Sequence, residues 1–385
     1  TRKRQELVTL ALIKLATSDP DQAAAQMDGK WAQQLAAEER NWVWGVIGKQ
    51  SALKLSEYAA GYFAKVTRAP MGYLFLAEPP VERIPIPDLR TIGGGRIDRP
   101  SPDLLDTLYL CQQRQEWYRD HARMNGEAPL SFVRSVTTDS AVDSVAGDLR
   151  QVLGFDLDER RRAPTWTDAL RSFIEQTDSL GVLVMVSGVV GNNTHRKLDP
   201  EEFRGFALVD DLAPLVFING ADTKAAQMFT LAHELAHVWL GESALSDASP
   251  LSAPSRSVEA WCNKVAAELL VPLAALGEHY RPAADLREEL DRLARVFKVS
   301  TLVLLRRIHD AGGLSRDLFE TAYAQELKRL RAVPRGGGGD FYATQSARVG
   351  KRFARALVAS TLEGQTLYRD AFRLLGISKL APPHR

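Results

Sequence analysis

Residues 228–242 read MFTLAHELAHVWLGE. At 3.6 residues per turn, apolar side chains cover nearly every side of such a helix, so it belongs in an interior. Burial makes its polar groups, His233, Glu234 and His237, costly unless each is matched. His233 and His237 stand four residues apart and stack on one face. Two imidazole nitrogens there can reach one tetrahedral metal at about 2.0–2.1 Å. Glu234 follows His233 at about 100° round the helix and so flanks the metal instead of ligating it. A carboxylate in that place can take a proton from water that the metal has acidified. The alternative is a core helix whose histidines are satisfied by ordinary hydrogen bonds.

Zinc with two histidines needs a third protein ligand and keeps its fourth position open. Downstream acids are Glu242, Asp247, Glu259 and Glu268. Glu242 lies just past Gly241, the expected helix end, too close in sequence to turn back. Asp247 falls in the Ser/Ala/Pro-rich stretch 242–257, expected to be a loop, and stays a possible ligand. The next helix is expected over VEAWCNKVAAELLVP, with Pro272 ending it. Glu259 and Glu268 fall on opposite faces of that helix, so only one of them can face the metal. Asn263 shares the face of Glu259, and its side-chain carbonyl could accept the second ring N–H of a ligating histidine. Ala266 and Ala267 allow close helix packing. Glu259 is therefore the expected third ligand, Glu268 is expected to be solvated and Cys262 to be core.

Around this pair the pattern changes several times. Residues 1–66 read as helices, with Ser18 or Asp19 capping a helix that starts at Pro20. Six prolines between Pro79 and Pro102, with Gly93–Gly95, predict an extended linker over 67–100. Ser101 and Pro102 open a helix to about residue 124, and further helices fit 139–153 and 164–179. GVLVMVS (181–187) reads as a strand, and 203–219 as two strands joined by a turn at Asp210–Pro214. Helices follow over 283–330, and two more after the glycine run at 335–340. The domains expected are a helical segment 1–66, a linker 67–100, a core 101–275, a helical region 276–335 and a C-terminal helical segment 336–385.

The net charge of +1 over 385 residues offers no global field for nucleic acid or an acidic membrane. Two distant cysteines give no disulfide framework, and no apolar run approaches the roughly 20 residues that span a bilayer. The basic N-terminus lacks a signal-peptide cleavage pattern, so the expected location is cytoplasmic. Arg348, Lys351, Arg352 and Arg355 share one helix face, which reads as solvated. Residues 293–313 have helix–Val-Ser–helix texture, somewhat like a DNA-reading pair but more simply a core pair. His195, His279, His309 and Tyr280 stand singly; one of them could stabilise an oxyanion, but no signal selects among them.

FTLAHELAHVWLG followed by VEAWCNKVAAELLVP closely resembles the ImmA/IrrE-type metallo-endopeptidases of bacteria. The resemblance extends through PMGYLFLAEPP, IPIPDLRT, LDPEEFRGFALVDDLAPLVFIN and the stretch from GGGGDFYATQ to FRLLGI. It implies a zinc-dependent protease of the gluzincin kind, with ligands at His233, His237 and Glu259 and the base at Glu234. The fold expected is α+β, a mostly helical zincin-like core with a small antiparallel or mixed sheet, flanked by helical ends. The substrate expected is a regulatory protein, typically a helix-turn-helix repressor of a stress, phage or mobile-element response. The strand PLVFINGA would be a sheet edge onto which the substrate pairs. Long family members usually begin with a helix-turn-helix, which residues 1–62 lack. They are faintly similar to the helical superhelix of soluble lytic transglycosylases. Direct DNA binding is thus unsupported, and the oligomeric state is open. Rival expectations are a zinc-binding regulator with little proteolysis, or an antitoxin-like protein that binds DNA or a partner.

Overall fold

In a computed structural model the described residues are 2–31, 34–35, 37–59, 62, 86–87, 100–246, 257–332 and 347–377. Most of the linker expected over 67–100, the glycine run at 335–340 and most of the loop expected over 242–257 lie outside them. The chain divides into two compact units, Thr1–Glu82 and Arg83–Arg385.

The first unit is helical: α1 (Arg2–Ser18), α2 (Pro20–Gln26), a π-turn (Met27–Trp31) and α3 (Ala37–Leu53). Asp19 caps α2, its carboxylate accepting from the Gln22 N–H at 2.9 Å, with Pro20 in the first turn. Leu12, Ala16, Ala23, Met27, Val43, Trp44 and Ile47 form a small core.

The second unit is built round a mixed sheet and has an α+β fold. It opens with α4 (Pro102–Met124), α5 (Val142–Leu153), α6 (Leu157–Arg162) and α7 (Trp166–Leu180). The strands are β1 (Leu183–Ser187), β2 (Val189–Val190), β3 (Asn193–Lys197), β4 (Gly205–Leu208), β5 (Leu215–Asn219) and β6 (Ala244–Ser246). Helix α8 (Lys224–Leu240) lies between β5 and β6. After β6 come α9 (Ser257–Leu270), α10 (Leu273–His279), α11 (Leu286–Phe297), α12 (Thr301–Asp310), α13 (Arg316–Ala332), α14 (Lys351–Leu362) and α15 (Tyr368–Leu375).

Strand order in the main sheet is β1-β5-β4-β6, with β1 and β5 parallel and the other pairs antiparallel; β2 and β3 form a separate hairpin. Strand side chains alternate between faces. Val184, Ala207, Val216 and Ile218 enter the cluster that contains the buried side chains of α8 and α9. Leu183, Met185, Phe206, Leu215 and Phe217 enter a second cluster with α4, α14 and α15. Helices on both faces explain why β4 and β5 are buried without interruption. The expectation that β5 forms an edge is overturned: β5 pairs with β1 on one side and β4 on the other. An isolated apolar run does not reveal which strand flanks it when the partner, β1, is about 30 residues earlier. Helices α6 and α10 and the polar β2–β3 hairpin escape the periodicity reading because they are short.

Three arginines close the C-terminal end of α9. Arg150 donates to the Glu268 carbonyl at 2.7 Å, Arg160 to that of Leu270, and Arg307 Nε to that of Val271 at 2.9 Å. Cations suit the negative end of the helix dipole and satisfy carbonyls left without intrahelical partners. Arg307 also pairs with Glu268, whose side chain is 13% exposed. Glu268 is therefore an ion-pair partner near the core and not the solvated acid expected. Arg307→Met should leave Glu268 and the Val271 carbonyl without their donor and cost about 3 kcal/mol of unfolding free energy in urea. A loss below about 0.5 kcal/mol would reduce the pair to the worth of a surface contact.

Candidate metal centre

Helix α8 begins at Thr223, whose hydroxyl accepts from the Ala226 N–H at 3.2 Å. It ends at Gly241, in the left-handed conformation at φ 80°. A Cβ on Gly241 would also fall 2.1 Å from Cγ of Arg134. The segment carrying Arg134 runs past this end, and the N–H groups of Arg134 and Val136 donate to the Val238 and Trp239 carbonyls, each at 3.3 Å. Residues 227–239 are buried throughout, so no side of the central helix faces solvent.

His233, His237 and Glu259 meet inside this interior, with one ligand atom of each within 4.8 Å of the others. The two Nε2 atoms are 3.1 Å apart. Glu259 Oε1 is 3.0 Å from Nε2 of His237, and its Oε2 is 3.3 Å from that of His233. Ligands bonded to zinc at about 2.05 Å in a tetrahedron stand about 3.3 Å apart, so the spacing of the two Nε2 atoms and that of His237 Nε2 from Glu259 Oε1 are each close to one such edge, while His233 is nearer the other carboxylate oxygen. Two imidazoles and a carboxylate are also a donor set for zinc. Burial alone would push the Glu259 carboxyl up, but the imidazoles of His233 and His237 outweigh it and hold it down at about 2. His237 is pushed below its usual range by burial and is therefore neutral at neutral pH, the form that binds metal. The local field is negative: after burial itself, Glu259, Glu234 and Glu242 all push the Cys262 thiol up. A cation belongs in such a place.

Glu234 is fully buried and lies against β4. A Cβ on Gly205 would come within 3.2 Å of Glu234 Oε1, 2.5 Å of Thr230 Cγ2 and 2.8 Å of the Phe217 carbonyl oxygen. Only glycine lets β4 approach α8 this closely, and the contact fixes where the Glu234 carboxylate can lie. Gly205 belongs to neither of the two helix motifs that carry the ligands. Its signal was a glycine heading an apolar strand, which marks close backbone approach.

Asn263 Oδ1 and His237 Nδ1 are both buried and neither has a hydrogen-bond partner among the described residues, so the bond expected from Asn263 to a ligating ring is not made there. Cys262 is core, fully buried. Glu242 is exposed and stands apart from the ligand group, and Asp247 lies outside the described residues. The single histidines serve elsewhere. His309 donates from Nδ1 to the Leu314 carbonyl at 2.9 Å and stacks on Phe319, while His279 lies beside Phe297. His195 sits on the exposed β3 and Tyr280 packs on the first core cluster.

The basic face of α14 is occupied by carboxylates. Lys351 Nζ is 2.6 Å from Glu175, Arg352 is 3.5 Å from Glu127, and the Arg352 N–H donates to Asp178. The α11–α12 pair is core: Val303, Leu304, Leu305, Arg307 and Ile308 are buried, leaving α12 little surface for a DNA groove.

Gly205→Ala should destabilise the protein by about 1–3 kcal/mol through overpacking. It should also lower any activity that depends on Glu234 while zinc content, measured by atomic absorption, stays unchanged. Adding Thr230→Ser removes the nearest clashing methyl and should recover part of the stability. No recovery would mean that the Phe217 carbonyl alone sets the limit.

No curated protein and no solved structure matches the chain. Residues 349–381 match a domain of unknown function. Among the described residues no helix is long and apolar enough to cross a membrane. Residues 177–309, which hold the main sheet, α8 and α9, match the family model of the M78 peptidases, described as an IrrE N-terminal-like domain.

Proposed function

We propose that the chain is a zinc-dependent endopeptidase that cuts a regulatory protein, with His233, His237 and Glu259 holding the metal and Glu234 acting as base. The observation that carries this reading is the convergence of two buried imidazoles and a buried carboxylate, one ligand atom of each within 4.8 Å of the others, with a buried glutamate next to one of them in sequence. When bound there, zinc supplies a Lewis acid that acidifies water and polarises a peptide carbonyl. Glu234, held against Gly205, takes the proton shed by the attacking water and delivers it to the leaving amine. Burial of the ligand helix keeps bulk water from the charged groups, which strengthens each interaction in the site. The match to a peptidase family supports the reaction class. A helix-turn-helix repressor as substrate rests on the resemblance of the motifs alone.

Glu234→Gln separates a peptidase from a zinc-binding regulator. The variant should keep stoichiometric zinc and lose cleavage by about 100-fold or more, the usual share of a general base. Glu259→Ala should lose zinc itself. Cleavage of a repressor encoded nearby that survives Glu234→Gln would remove the peptidase reading.

A further inference from the structure

The main sheet has two outer strands, β1 and β6. β6 lies beside β4, the strand whose Gly205 leaves room for the Glu234 carboxylate, and Ser246 stands opposite Gly205 in the pairing. The outer side of β6 is thus about 4.8 Å further on, whereas β5 stands between β4 and the other edge. An extended peptide that pairs with the sheet near Glu234 therefore has the β6 edge to use.

That edge is already engaged. Leu245 pairs with Phe206 of β4, yet its N–H donates to the carbonyl of Pro87 at 3.0 Å. Ile86, half-buried, packs against the cluster that contains Phe206, Phe217 and Leu245. We infer that the Ile86–Pro87 segment is a strap on the peptide-binding edge of the sheet, which a protein substrate must displace before it is cut. The inference rests on the peptidase reading above and names a regulation of that site.

The chemistry of the strap suits a weak, displaceable occupant. In a strand a residue's N–H and C=O point to the same side. Pro87 accepts from Leu245 but has no N–H to return. An ordinary peptide can both accept from Leu245 and donate to its carbonyl, so it makes a fuller ladder than the strap. The strap's advantage is its tether, which gives it a high effective concentration at the edge. Were it seated about nine-tenths of the time, apparent substrate affinity would fall about tenfold.

The test uses full-length, zinc-loaded protein, fluorescent casein as an unstructured probe substrate, and amide hydrogen exchange at Leu245. Ile86→Asp removes the apolar anchor from a half-buried site. The expected result is faster exchange at Leu245 and a rise in kcat/KM of about tenfold, with unchanged zinc content. A synthetic peptide of residues 81–90, at about 1 mM, should return the variant towards the wild-type rate. Ile86→Ala, a milder change, should move both readouts in the same direction by less. Unchanged exchange at Leu245 would overturn the pairing. Faster exchange with an unchanged cleavage rate would overturn the inhibition, leaving an edge-protecting contact only. Absence of cleavage in both proteins at full zinc occupancy would instead overturn the peptidase reading on which the strap depends.

Discussion

The second unit depends on one costly arrangement: a carboxylate and two imidazoles buried side by side. Glu259 is 3% exposed and the two histidines are fully buried. Ionised groups leave water only at a cost that their partners must offset. The imidazoles hold Glu259 ionised, and the surrounding carboxylates bias the site towards positive charge. Because the ligands come from two helices, the relative placement of α8 and α9 is a condition for the centre to exist. Glu259 lies in the first turn of α9, while the arginine closure is at the other end. That closure holds α9 to α5, α6 and α12 and so keeps the distant carboxylate in place.

The sheet supplies the remaining constraint. Strands buried on both faces give a rigid middle layer, and β4 leans on α8 at the one residue without a side chain. The approach is limited first by the Thr230 methyl and the Phe217 carbonyl, with the Glu234 carboxylate beside them. Few of these relations are local. The Gly205 contact joins residues about 30 apart, and the Arg150 cap joins residues 118 apart.

What could be read from the sequence follows that division between local and distant. The ligand pair, the caps at Asp19 and Ser101 and the Gly241 terminus are set within one or two helical turns, where spacing maps directly onto geometry. Glu259 was accessible because helical phase excluded Glu268 from the same face. The neighbours of β5 were not accessible, because β1 and β4 approach from opposite directions in the chain and an apolar run looks alike at an edge or in the middle. Glu268 was misplaced for the same reason: its partner, Arg307, is 39 residues away. The outer bond assigned to Asn263 assumed that sharing a helix face suffices for contact. It does not, because a hydrogen bond also needs the acceptor aimed within about 3 Å of the donor.

Cys262 sits one turn from Glu259 on the same helix, fully buried in the field of three carboxylates. Its thiol stays protonated far beyond neutral pH, and a protonated thiol neither ligates soft metals nor attacks oxidants. Nitrogen and oxygen donors are left to select the ion, and those donors have no oxidation ladder of the kind that strips zinc from thiolate sites. A zinc ion held by His233, His237 and Glu259 would thus have no thiolate among its ligands to lose to oxidation.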